Sequence, residues 1–248
     1  MKVYLAGFKT IEKVWGKPTE DIYLLSSFYE HKTGRYGDYV FQEKHILDSG
    51  AFSFFGGGQS VDWKKYVGQY CDFIKKTNQK LFFELDIDLI TSLKFAEQLR
   101  KEIEFQTGRQ SIPVWRPSRG LEYWHKMIEE YSYVAISASG AFDSAWTRTN
   151  EGLRIMQKLL ALAHAKNCKV HGLGYTFIST LKQVPFDSID STTWNVGGKY
   201  GNVCLFDKNW NSARQRRPKN MRVKDVKNLH LYNFENWVKF QKYAEQNL

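Results

Sequence analysis

Cysteine is scarce and dispersed in this 248-residue chain: Cys71, Cys168 and Cys204 stand alone, with no CxxC pair and no Cys/His cluster. That spacing argues against a zinc site and against a disulfide framework, and it suits a reducing cytoplasm. Glycine (18) and proline (5) are not enriched, and no low-complexity tract occurs, so long disordered stretches are not expected. No run approaches the ~18 apolar residues of a membrane helix, so no membrane partner is expected. The opening MKVYLAGFKT reads as a first strand, because its apolar run is too short for the core of a signal peptide. No GxGxxG follows that strand and no GxxxxGK(S/T) occurs anywhere, which removes support from dinucleotide-binding and P-loop folds.

Acidic residues are also in deficit. Lys and Arg outnumber Asp and Glu by 36 to 26, for a net charge of +10, and this points to an acidic partner such as nucleic acid. Most of the excess lies in one basic segment, 199–227, which holds nine Lys/Arg against two Asp. Arg214, Arg216, Arg217, Lys219 and Arg222 crowd its centre, as a phosphate-contacting surface or a solvated loop would have it.

Hydrophobic residues (42%) are ample for a core, and their pattern alternates between two kinds of segment. Short apolar runs ending in Gly, Asp or Ser read as strands: Val3–Ala6, His45–Leu47, Leu81–Leu85, Ile112–Trp115, Tyr133–Ser137, Lys169–Leu173, Ser188–Ile189 and Val203–Phe206. Between them, helical spacing marks Asp62–Lys75 with Asp62 as N-cap, Thr91–Glu104, Leu121–Glu130, Asn150–Lys166, a short Thr180–Gln183 and a C-terminal helix 234–245. Eight strands alternating with helices predict an α/β fold, a (β/α)8 TIM-type barrel, as a single domain over 1–248 without a zinc module.

In such a barrel the chemistry sits at the C-terminal strand ends. The second predicted strand ends in Asp48-Ser49-Gly50-Ala51-Phe52, the third in Glu84-Leu85-Asp86-Ile87-Asp88, and the seventh in Asp187-Ser188-Ile189-Asp190. Converging carboxylates raise one another's pKa and are costly unless used. They suit displacement at an anomeric carbon, one attacking to form a glycosyl ester and another handling protons. The glycines Gly50, Gly56–Gly58, Gly172 and Gly174 would let backbone approach a flat ligand, and Phe52, Tyr175 and Trp194 could stack on it, although each aromatic alone more often packs a core. DSG is also a turn sequence, and Asp88 would serve equally as a cap for the helix near Thr91. Glu84, Asp86 and Asp88 at alternate positions would share one side of a strand, but no histidine cluster joins them, so no metal is expected. His31 and His125 read as surface residues.

The segment Asp48–Phe52 resembles the DSGGF motif of tRNA-guanine transglycosylases, and Glu84–Asp88, Ser137–Gly140, His171–Thr176 and Phe186–Ser191 follow in the order of that superfamily's later strand ends. The combination ILDSGAFSF, LGYT and DSIDSTTW is closer still to the DpdA-like DNA-guanine transglycosylases of phages and bacterial DNA-modification islands. The tRNA enzymes carry a zinc-binding Cys/His insertion and DSGGF where this chain has neither the ligands nor the second glycine, which favours the DNA branch. The resemblance implies a glycosyltransferase that exchanges guanine in DNA for a free 7-deazaguanine base in the cytoplasm of a bacterium or phage-infected cell, with no cofactor. In it Asp190 attacks C1′ and Asp48 acts as general acid/base or orients the incoming base. Asp86, or else Asp88, reads the guanine edge, and Ser139, Gly140, Gly172 and Gly174 cradle the base. Three alternatives remain: the same exchange on tRNA, a base-releasing glycosidase, and a non-catalytic nucleic-acid-binding barrel.

Overall fold

The structure, a computed structural model, describes residues 1–16, 21–34, 44–54, 61–137, 149–175, 180–206, 214–215 and 224–248, with backbone alone for Phe52, Arg214 and Gln215. Its centre is a curled, all-parallel sheet of eight strands: β1 (Lys2–Ala6), β2 (Leu24–Ser27), β3 (His45–Asp48), β4 (Leu81–Phe82), β5 (Val114–Trp115), β6 (Tyr133–Ser137), β7 (Lys169–Leu173) and β8 (Ser188–Ser191). The spatial order is β4-β3-β2-β1-β8-β7-β6-β5. Beyond the two ends of this order, an isolated parallel bridge joins Phe83 to Ile112, carried by Ile112 N–H to Phe82 O (2.8 Å) and Glu84 N–H to Ile112 O (3.1 Å).

The strands are apolar on both faces because both are covered. Alternate residues of β1 enter different clusters, Tyr4 and Ala6 on the inner face of the curl and Val3 and Leu5 on the outer. The inner cluster also holds Tyr23, Leu25, Ile46, Phe83, Ile112, Val114 and Ala135. Outside, α3 (Trp63–Lys76) and α4 (Leu93–Thr107) set Tyr70, Ile74, Leu99 and Ile103 against Leu47 and Phe82. The larger outer cluster joins β1 and β6–β8 to α5 (Gly120–Glu130), α6 (Asn150–Ala165) and the C-terminal helix through Trp124, Met156, Leu160 and Phe234. Each of these fully buried side chains contributes about 1.5–3 kcal/mol by leaving water. Asp62 caps α3 by accepting from Lys65 N–H, as its position before the amphipathic run predicts.

Several expected boundaries shift. Leu24–Ser27, unassigned in the pattern, is a strand paired on both sides. Val203–Phe206, expected as the last strand of the barrel, lies outside the eight-stranded sheet, and its Val203–Cys204 pairs antiparallel with Arg214–Gln215. Asp48 therefore closes the third strand, and Asp190 belongs to the eighth. Ser92, not Asp88, caps α4 through Phe95 N–H. Thr180–Gln183 forms a turn, and the terminal helix runs from Val226 to Asn247, longer than 234–245. Two short helices, Phe28–Lys32 and Thr193–Lys199, have too few turns for periodicity to mark them. No helix among the described residues is long and apolar enough to cross a membrane.

Candidate active site

Because the strands are parallel, their C-terminal ends share one edge of the sheet, and three carboxylates meet there. Asp48 is the last residue of β3. Its turn is built locally: Gly50 N–H donates to Asp48 Oδ2 (3.0 Å), Ala51 N–H to Ser49 Oγ (3.3 Å), and Tyr66 O–H to Ser49 O (2.6 Å). Gly50 adopts φ +72°, and a Cβ there would lie 2.4 Å from Ser27 Oγ and 2.5 Å from Tyr29 Cβ. Its glycine is needed for the turn and for contact with the β2 end, rather than for approach to a ligand. Burial, followed by the negative charge of Asp86, pushes the Asp48 carboxyl up to about 7, with Asp190 adding to the rise and the Gly50 and Ser49 N–H groups opposing it.

Asp86 follows β4. Burial raises its carboxyl to about 6, although Arg116 beside it pulls the other way. Arg116 Nη2 donates to Asp86 Oδ2 at 2.9 Å. Arg116 and Asp86 belong to a charge network whose most deeply buried members are Glu84, Arg100 and Arg119. Arg119 grips both oxygens of Asp88 (3.2 and 2.7 Å) and donates to Glu84 Oε1 (2.7 Å), while Arg100 meets Glu84 Oε2 at 3.2 Å. Burial alone would raise Asp88, but Arg119 and Arg116 outweigh it and hold the carboxyl below its ordinary range. The three acids that alternate along Glu84–Asp88 are thus engaged by three arginines. Among the described residues no group of three or more His, Cys, Asp or Glu side chains could hold a metal ion.

Asp190 lies within β8, almost wholly buried. Its Oδ1 accepts from Gly174 N–H at 2.5 Å and meets His171 Nε2 at 3.2 Å. Gly174 sits at φ +69°, a turn that a side chain would resist and that aims its N–H back at the carboxylate. The other ring nitrogen of His171 meets Ser188 Oγ at 2.6 Å, and Ser188 Oγ also bonds the Tyr133 hydroxyl.

Of the residues read as site candidates, Asp86 and Asp190 are each brought within electrostatic reach of Asp48, and Gly174 bonds Asp190. Asp88 is engaged by Arg119 on both oxygens. Tyr175 is not a stacking surface: it is fully buried, its ring 4.9 Å from that of Phe186 and its hydroxyl on Thr180. Trp194 is fully buried as well, donating to Ala6 O. Gly172 serves packing, since a Cβ there would meet Tyr175, Phe186 and Ile189 at 3.0–3.2 Å. Phe52 and Arg214 have described backbone only, while Ser139, Gly140, Thr176, Gly56–Gly58, Arg216, Arg217, Lys219 and Arg222 lie outside the described residues. His125 is exposed at a shallow depression on α5 with Glu122, Lys126 and Glu129. His31, expected at the surface, is buried: its Nε2 meets Ser26 Oγ (2.7 Å), which also meets His45 Nε2 (2.8 Å). His45 Nδ1–H donates to Gln79 Oε1 (3.0 Å), and burial lowers its pKa to about 4.

Sequence reasoning missed His171, Arg116 and Arg119 as functional neighbours. Arg116 was visible at a strand end beside the carboxylates, but the partners of all three lie on other segments, a pairing that spacing does not carry. No family model matches the chain, and no curated protein does.

Proposed function

We propose that this protein is a DNA-guanine transglycosylase, exchanging guanine in DNA for a free 7-deazaguanine through a covalent ester between Asp190 and C1′. The observation that carries the reading is the separation of three carboxylates at one sheet edge. Asp190 is anchored through Oδ1 by two donors, Asp86 is half engaged by Arg116, and Asp48 is raised to about 7. A group with such a pKa exists in both protonation states at neutral pH, as a shuttle that gives and retakes one proton requires.

In the first half-reaction Asp190 attacks C1′ as the bond to guanine N9 breaks, and Asp48 supplies the proton that neutralises the departing base. In the second, N9 of the incoming base attacks C1′, its proton passes to Asp48, and Asp190 is released as a carboxylate. Asp86 has one oxygen without a partner among the described residues, available to accept from the N–H groups on the guanine edge. Reaching such a pocket requires the target nucleotide to leave the stack.

The finer architecture belongs to the same reading: the eight strands close as a (β/α)8 barrel whose edges meet at the Phe83–Ile112 bridge, with residues 1–248 as one domain. Preference for DNA over tRNA rests on the motif resemblance and on cysteines that are dispersed and buried. The test supplies DNA carrying radiolabelled guanine with and without 7-cyano- or 7-amido-7-deazaguanine. Release that depends on the added base and vanishes in Asp190→Asn is expected. Release without an acceptor indicates a glycosidase, release from tRNA alone indicates the tRNA reaction, and binding without release leaves a non-catalytic module.

A further inference from the structure

Beyond the three carboxylates, we propose that His171 is a positioning residue that fixes which oxygen of Asp190 reacts, and that Ser188 and Tyr133 fix its tautomer. This rests on Asp190 being the nucleophile. His171 lies in β7 opposite Ser188 of β8, so its two ring nitrogens reach two side chains, Ser188 and Asp190, that share one face of the neighbouring strand. The ring is wholly buried, with Tyr4 and Phe83 at centroid distances of 6.0 and 5.2 Å. An apolar side chain would fill that space without the cost of burying two polar nitrogens, so the imidazole is there for its hydrogen bonds.

The donor order follows from two premises of the proposal, an ionised nucleophile at Asp190 and a neutral ring at His171. An ionised Asp190 only accepts, so His171 Nε2 carries the hydrogen. In the neutral ring Nδ1 then accepts from Ser188 Oγ–H, and Ser188 accepts from Tyr133 O–H. The chain runs one way, from Tyr133 to Asp190. With the Gly174 and His171 donors both on Oδ1, attack falls to Oδ2. The Oδ2–C1′ bond forms as C1′–N9 breaks, the electron pair leaves on guanine, and Asp48 gives the proton. In the ester, Oδ1 is the carbonyl oxygen. When the incoming base displaces Asp190, the Oδ2–C1′ pair returns to the carboxylate, and the His171 N–H stabilises the charge that reappears on Oδ1. Loss of that donor therefore slows resolution of the intermediate.

His171→Phe keeps the ring volume and removes the hydrogen bond, whereas His171→Gln keeps an N–H near the Nε2 position. The expected result is a kcat for base exchange about a hundredfold lower in His171→Phe, KM for DNA within about twofold of wild type, and a protein–DNA adduct that survives denaturant and clears slowly after the acceptor base is added. His171→Gln should recover at least about tenfold of the lost rate. A His171→Phe enzyme exchanging at the wild-type rate, or a His171→Gln enzyme no faster than it, overturns the proposal. A second measurement needs no substrate: ¹⁵N NMR of His171 in the wild-type protein should find Nε2 protonated and Nδ1 bare. A hydrogen on Nδ1 alone overturns the assignment even in an active enzyme. An inactive wild type with the expected tautomer would remove the transglycosylase reading and leave the His171–Asp190 pairing standing.

Discussion

Replacing Asp48 with Asn should make the protein more stable while abolishing exchange. The carboxyl's ordinary value of 3.8 rises to about 7 in the fold, because burial and the neighbouring charges of Asp86 and Asp190 disfavour its ionised form. Between those values the folded protein holds a proton that the unfolded chain has released. Stability therefore falls as pH rises through that window, and the loss is complete above about pH 8. Three units at 1.36 kcal/mol each set an upper bound of roughly 4 kcal/mol. The residue is only half-buried, so solvent screens part of it, and about 2 kcal/mol is expected. Asn is nearly isosteric and its carbonyl can still accept from Gly50 N–H, so the turn should survive.

Thermal melts of wild type and Asp48→Asn across about pH 5 to 8 read this directly, because a domain of this size shifts by roughly 2–4 °C per kcal/mol. The variant should melt about 4–8 °C higher at pH 8, with the gap narrowing toward pH 5. Comparing the two proteins at each pH matters, since His45 titrates in the same range with opposite sign. A variant that melts at or below wild type at pH 8, or a gap that does not change with pH, would refute the assignment of Asp48 as a strained carboxyl.

Three other perturbations have defined outcomes. His45, held at about 4 against an ordinary 6.5, contributes stability that is fully present above 6.5 and is lost as pH falls toward 4; that loss amounts to roughly 3 kcal/mol, and His45→Asn should flatten the acid limb of the melting profile. Arg119→Met leaves Glu84 and Asp88 buried without their shared partner and should cost about 3–5 kcal/mol in urea unfolding, where a cost below about 1 kcal/mol would mean the network is not a stabilising unit. Substituting Gln for Arg214, Arg216 and Arg217 should weaken DNA binding and reduce the slope of log affinity against log salt by about 0.9 for each phosphate no longer neutralised, and unchanged binding would remove the basic segment from the DNA interface.

Much of the central sheet was legible because buried parallel strands are short apolar runs ended by Gly, Asp or Ser. β1, β3, β6 and β7 follow that pattern closely. β2 obeys the same rule, since the apolar run Ile22–Leu25 ends in Ser26 and Ser27, although it is not among the runs read as strands. Val203–Phe206 misled for the converse reason: its composition matches a buried strand, but composition does not carry the identity of a partner, and Arg214–Gln215 is the partner. Asp48 and Asp190 stand out as candidates because strand ends can be searched by position, and both lie on strands of the sheet. Tyr175 and Trp194 take the core role that an aromatic residue alone more readily suggests, and their burial decides it against stacking. His171 was passed over because its meaning comes from a neighbouring strand, through a register that local spacing does not encode.

Three like acids at one edge can take different roles only if their surroundings differ, and here the differences are specific. Asp88, nearest in sequence to Asp86, is removed from competition by the two-pronged grip of Arg119. Asp86 receives one guanidinium contact from Arg116, its other oxygen has no partner among the described residues, and the proposed exchange assigns that oxygen to the guanine edge. Asp190 receives one backbone and one imidazole contact on Oδ1, and among the described residues no hydrogen bond falls on Oδ2. Among the described residues Asp48 accepts from backbone N–H groups alone, too few to offset burial and two nearby negative charges, and the proposed exchange therefore assigns proton transfer near neutrality to it. A cation added beside Asp48 should therefore change the pH dependence of exchange. Ser27→Lys, set where the Ser27 side chain approaches Gly50, should lower the Asp48 pKa and move the acid-catalysed limb of the exchange rate to lower pH, and an unmoved limb would mean that another group supplies the proton.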